Sequence, residues 1–168
     1  MIYVLFGPPG VGKTYIGELV SHKLGMKFFD ADILFDEELK VMLRSGVFNQ
    51  QVRDIFFDKL NIVTEYLLSE LDDGQSLIIA QAFIKEKNRG EFLHHFDEQV
   101  KYVLVNATKD LAHSRVTERI KKQEHVVDEN VFEYAWREFD VPIIPHIEID
   151  NINIDNESLL KTFTELIE

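Results

Sequence analysis

The chain contains no cysteine, which excludes disulfides, thiolate catalysis and cysteine-based zinc sites. It is also short of cations: 18 Lys and Arg stand against 30 Asp and Glu, a formal net charge of −12. A phosphate backbone needs a positive footprint, so a general nucleic-acid binder is not expected. A small phosphorylated molecule needs only a few cations converging in one place. No apolar run is long enough to span a bilayer, and no membrane role is expected. There is no internal repeat, low-complexity tract or Pro/Gly/Ser linker, so the 168 residues are read as one domain, residues 1–168, with a substantial core. The six histidines show no metal-ligand spacing and read as surface or packing residues. Met1–Phe6 lacks the basic start of a signal peptide and reads as a buried strand, so a cytoplasmic protein is expected.

Strand and helix patterns alternate from end to end, which points to an α/β fold with a parallel sheet and helices on its faces. Strands are expected at 2–6, 27–30, 76–80, 100–105 and 147–149. Helical periodicity is expected after residue 12, over 33–44, from about 50 to Leu71, over 86–96, from the cap Thr108, and over 156–168. A further helix carries Phe132, Ala135, Trp136 and Phe139, with Pro142 closing it. Trp136 and the phenylalanines read as core stripes.

Residues 7–14 read Gly7-Pro8-Pro9-Gly10-Val11-Gly12-Lys13-Thr14, a complete Gly-x-x-x-x-Gly-Lys-Ser/Thr phosphate loop between a strand and an amphipathic helix. The glycines let the backbone turn so that successive N–H groups converge on one anion. The helix start adds its positive end. Lys13 supplies a point charge to the terminal phosphates, and the Thr14 hydroxyl is the expected Mg²⁺ ligand. Tyr15 and Arg115 complete the expected nucleotide contacts, and the segment after the last strand, Asp150 to Asn153, is where an adenine would lie.

The third strand ends in Ala80-Gln81, with no acid. Acids end the second strand instead, at Asp30 and Asp32. Strand ends of a parallel sheet meet at the ligand edge. Asp30 is therefore assigned to the metal's hydration shell. Asp32 is assigned to the acceptor hydroxyl; its alternative role is a cap for the next helix.

This arrangement resembles the small-molecule kinases of the gluconate kinase and shikimate kinase group, P-loop proteins related to the nucleoside monophosphate kinases. Gly46, the polar stretch to Arg53 and Asp54, the run Gln81 to Lys85 with Arg89 behind it, and Arg115, Arg119 and His125 resemble corresponding parts of the gluconate kinases. The shikimate kinases have glycines after the third strand where this chain has Gln81-Ala82-Phe83, so the substrate stays open. The resemblance implies a three-layer α/β/α P-loop NTPase fold with a five-stranded parallel sheet in the order 2-3-1-4-5. It implies a helical acceptor region at 33–73 and a lid at 119–130. It also implies transfer of the γ-phosphoryl of Mg-ATP to a hydroxyl of a small, anionic acceptor, in a monomer or homodimer. Lys13, Asp32 and Arg119 are the expected catalytic residues, with Arg119 as the lid arginine. Arg53, Gln81 and Lys85 are the expected acceptor contacts beside Asp32. The alternatives are a nucleoside or nucleotide kinase and a nucleotide-dependent switch. No guanine-reading Asn-Lys-x-Asp run is present.

Overall fold

In the computed structural model, residues 1–45, 49–122, 127–153 and 155–167 are described. Gly46 and His125, both used in the resemblance, lie outside them, as does part of the expected lid. Five strands form the sheet: β1 (Ile2–Phe6), β2 (Lys27–Asp30), β3 (Leu77–Ala80), β4 (Val100–Asn106) and β5 (His146–Asp150). All pairings are parallel, in the order β2-β3-β1-β4-β5. Central β1 is buried along its whole length. Its alternating side chains serve two cores, as a strand covered on both faces requires. Ile2, Val4 and Phe6 join Phe56, Leu60, Phe92 and Phe96 on one face. Tyr3 and Leu5 join Ile16, Val20, Leu159 and Phe163 on the other.

The covering helices are α1 (Lys13–Leu24), α2 (Glu37–Arg44), α3 (Gln50–Ser69), α4 (Glu86–Phe96), α5 (Lys109–Lys121), α6 (Glu129–Arg137) and α7 (Asn156–Ile167). Helix α1 ends on Gly25 in the left-handed conformation, as its position predicts. Thr108 caps α5 by accepting from Leu111 N at 3.3 Å.

Two expectations are corrected. The helix expected over 33–44 is a 3₁₀ turn, Ala31–Leu34, followed by α2. Asp36 separates them in an extended conformation, its carboxylate accepting from Leu39 N at 3.0 Å. The helix through Phe132 ends at Arg137 rather than running to Pro142. Beyond it, Asp140 N donates to Ile84 O at 2.9 Å and Asp140 O accepts from Arg89 Nη2 at 2.8 Å, which draws the chain back to the β3–α4 connection.

The register places the site. Asp30 pairs with Ala80, and Ala80 with Leu5. The exits of β1, β2 and β3 therefore lie side by side at the carboxyl edge, where open α/β sheets bind ligands.

Candidate functional site

The phosphate loop leaves β1 at Phe6 and enters α1 at Lys13. Gly10 and Gly12 have φ of 84° and 102°, which side-chain-bearing residues rarely adopt. A Cβ at Gly10 would also run into the Ala112 carbonyl, and one at Gly12 into the Asn151 amide. The loop carbonyls are each taken by a donor. Lys13 Nζ donates to Gly7 O at 2.8 Å and Pro8 O at 2.9 Å. Trp136 Nε1 donates to Pro9 O at 3.1 Å. Arg115 Nη1 donates to Gly10 O at 3.4 Å and Val11 O at 3.3 Å, and Asn151 Nδ2 to Val11 O at 2.8 Å. Ile16 N donates to Gly12 O at 3.0 Å. With its carbonyls taken by these partners, the loop leads directly into α1. That helix has no acid in its first turn and no side-chain cap, so its positive end suits an anion.

The acids at the exit of β2 divide. Asp30 Oδ2 accepts from Thr14 Oγ1 at 2.7 Å, and Asp30 Oδ1 accepts from Asp32 N at 3.0 Å. Asp30, and not Asp32, thus caps the 3₁₀ turn. The Asp32 carboxylate turns to Gln81, whose Nε2 lies 3.4 Å from Asp32 Oδ1. Gln81 is held in turn by its own carbonyl oxygen, which accepts from Ala82 N. Burial, reinforced by Asp30, pushes the Asp32 carboxyl up to about 6, against the pull of Lys13, Gln81 and Arg119. Burial brings Lys13 down to about 8, with Asp32 and Asp30 opposing it and Arg119 adding to the fall. Each of the two groups carries the mark of the other.

A cavity of about 600 Å³ opens on this cluster. Of the residues expected from sequence, it brings together Pro9, Gly10, Gly12, Lys13, Thr14, Asp30, Asp32, Arg53, Gln81 and Arg119. Arg53 Nε donates to Gln50 Oε1 at 3.2 Å, and its Nη1 to the Tyr134 hydroxyl at 3.0 Å. Gly7, Pro8 and Val11 are buried within the loop's own support. Arg115, expected at the nucleotide, lies under the loop and also reaches Asn151 O at 3.2 Å.

Two expected contacts stand elsewhere. Tyr15 is exposed, and its hydroxyl donates to Asn156 Oδ1 at 2.7 Å, because the residue after Thr14 sits about 100° further round the helix. Lys85 is not on the cavity. Its Nζ donates to Glu138 O at 2.8 Å and pairs with Asp140 at 3.1 Å and Glu138 at 3.3 Å. Arg89 behind it is fully buried, donating to Phe83 O, Ile84 O and Asp140 O, and paired with Glu86 at 2.6 Å. Its guanidinium lies within 5.1 Å of the Phe6 ring centroid and 4.7 Å of that of Phe139.

Sequence reasoning missed Trp136, Tyr134 and the Asn151 side chain. Trp136 sits on the same stripe as Phe132, so its N–H could not be told from core packing. Asn151 falls in the segment expected to hold an adenine, yet its side chain holds the loop.

A five-stranded parallel sheet in this order, with a phosphate loop between β1 and α1, defines a P-loop nucleotide-binding fold. The family model described as an AAA domain matches residues 2–142, and the chain belongs to that family. It is 34% identical to a probable gluconokinase of Rattus norvegicus over 89 residues, 52% of this chain and 46% of that protein. It is 45% identical to a shikimate kinase of Macrococcus caseolyticus over 56 residues, 33% of this chain and 28% of that protein. The chain spans about half the length of the curated gluconokinase relatives it matches. The crystal structure of a gluconokinase from Sinorhizobium meliloti 1021 superposes with a TM-score of 0.74 at 14% identity, covering 98% of this chain and 90% of that one, a likeness of fold. Among the described residues, no helix is long and apolar enough to cross a membrane.

Proposed function

We propose that this chain is an ATP-dependent phosphotransferase that moves the γ-phosphoryl of Mg-ATP to a hydroxyl of a small, anionic acceptor. The observation that carries this reading is the convergence of Lys13, Asp32 and Arg119 on one cavity that continues past the phosphate loop. A switch protein needs no such second compartment. Relatives named gluconokinase and shikimate kinase support the same reaction class.

The donor set suits a magnesium ion. Thr14 Oγ1 and Asp30 Oδ2 are hard oxygens 2.7 Å apart beside the loop, and Mg²⁺ prefers one or two such ligands with water and phosphate oxygens completing its shell. When bound, the ion would neutralise phosphate charge. In this reading Lys13 exchanges the Gly7 and Pro8 carbonyls for phosphate oxygens. Asp32 accepts the acceptor's hydroxyl proton as the hydroxyl oxygen forms its new bond to phosphorus. The bond from phosphorus to the β-phosphate oxygen breaks, leaving ADP, and the proton passes on to solvent. Arg119, on the last turn of α5, steadies the charge spread over the migrating group. Arg53 offers its fork to the acceptor's anionic group. In this reading the described residues of 33–73 make the acceptor side and those of 119–130 belong to the lid of a single domain, and the cytoplasm is the expected compartment.

The test is ADP release from Mg-ATP over a panel of sugar acids, shikimate, nucleosides and nucleoside monophosphates, with Lys13→Ala as the blank. Stimulation by one acceptor that the blank lacks is the expected result. Tight ATP binding with no stimulation by any acceptor would sink the reading.

A further inference from the structure

The cavity has two walls of opposite chemistry. Lys13, Asp32 and Gln81 line it near the strand exits, and Arg119 lines it from the end of α5. On the side of α3 its lining is mainly hydrocarbon, Phe35, Leu43, Phe56, Phe57, Phe83 and Ile84, with Ser45 and Arg53 beside them. The phenylalanines pack as one cluster, in which Phe35 and Phe57 keep some exposed surface and Phe56 and Phe83 are buried behind them. Phe35 stacks on Phe56 at 4.5 Å and 22°, Phe56 meets Phe57 edge-on at 5.4 Å, and Phe57 meets Phe83 at 4.8 Å. Arg53 lies one turn before Phe57 on the same helix, so its guanidinium, joined to the Tyr134 hydroxyl, borders that surface.

An open-chain sugar acid carries a hydroxyl or carboxylate on every carbon. Laid against the phenylalanine rings it would lose water from hydroxyls that the rings cannot replace, and buried polar groups without partners oppose binding. The geometry fits a ligand divided as the cavity is divided, with one hydroxylated end and one flat apolar end. We propose that the phosphoryl acceptor is a nucleoside, its base lying on the Phe35 and Phe57 rings and a sugar hydroxyl reaching Asp32. Aromatic side chains stack bases of any sequence because every base has a π-face. Arg53 and Tyr134 are placed to meet polar groups at the edge of the ligand. The inference rests on the kinase reading and departs from it in one respect: the acceptor is uncharged, so Arg53 meets neutral oxygens of the ligand in place of an anionic group. The nucleoside oxygen gains the phosphoryl group, ADP leaves, and the hydroxyl proton goes to Asp32.

Equilibrium binding separates the two claims, because it needs no turnover. Adenosine, thymidine, gluconate and shikimate would be titrated calorimetrically into the full chain holding a non-hydrolysable ATP analogue with magnesium. At least one nucleoside is expected to bind tenfold or more tightly than gluconate or shikimate. Phe57→Leu, which keeps the wall apolar but removes the ring, is expected to weaken that nucleoside about tenfold and leave the ATP analogue unchanged. Gluconate or shikimate binding as tightly as either nucleoside, or no nucleoside binding, overturns the inference. A nucleoside that binds yet releases no ADP above the Lys13→Ala blank overturns the kinase reading instead.

Discussion

Asp32 and Lys13 face one cavity with their acid–base properties displaced toward each other, and this sets a pH window. Asp32 must be ionised to accept a proton, and Lys13 must be charged to hold phosphate. With Asp32 raised to about 6 and Lys13 lowered to about 8, kcat/KM for the free enzyme is expected to be bell-shaped, rising through about 6 and falling through about 8. A rate profile without the acidic limb would contradict the role given to Asp32. The same residue carries a stability cost. Its pKa is about 6 in the folded chain against an ordinary 3.8, so the unfolded chain ionises first as pH rises. The cost is absent below pH 4 and complete above about 6, at about 1–3 kcal/mol. Asp32→Asn should therefore lower turnover by about 10²–10⁴-fold, as loss of a general base does. At pH 7.5 it should raise Tm by about 2–4 °C for each kcal/mol relieved. Thermal melts of both proteins at pH 4 and 7.5 check this, with the difference expected only at the higher pH.

The connection from β3 to α4 owes its shape to one buried cation. Arg89 satisfies three backbone carbonyls and the Glu86 carboxylate with no solvent exposure of its own. Arg89→Met would keep the apolar stem but orphan those acceptors. The expected loss is about 3–5 kcal/mol, measured as a lower urea midpoint, with a raised acceptor KM because Gln81 and Phe83 stand on the same connection. The element scale is also where sequence and structure part company. Short apolar runs located the strands and helical hydrophobic periodicity the long helices, because a strand covered on both faces is apolar throughout and a helix covered on one face is apolar every third or fourth residue. The break at Asp36 left none, since a capping aspartate looks like any charged residue on an exposed helix face. Lys85 and Arg89 looked alike as cations near a strand exit. The fold gives one to Glu138 and Asp140 and the other to the core, a separation made by the return of residues 138–140 that no local pattern encodes. The phosphate loop was legible because glycine, lysine and threonine are each required there by backbone geometry or charge. Its outer supports, Trp136 and Asn151, come from 127 and 140 positions away, and such contacts leave no spacing to read.

Over the whole molecule, the net charge of −12 opposes the approach of a nucleotide that the cavity's own cations then hold. Raising salt from about 0.01 to 0.15 M shortens the screening length from about 30 to about 8 Å, which removes the distant repulsion more than the contacts within the cavity. The association rate for ATP, followed by stopped flow, is expected to rise over that range; a steep fall would mean that local cations also govern the long-range field. The chain's single tryptophan is Trp136, and its ring N–H rests on the carbonyl of Pro9. The molecule therefore carries a built-in optical probe at the seam between α6 and the phosphate loop. Its ultraviolet emission should register nucleotide arrival without any attached dye.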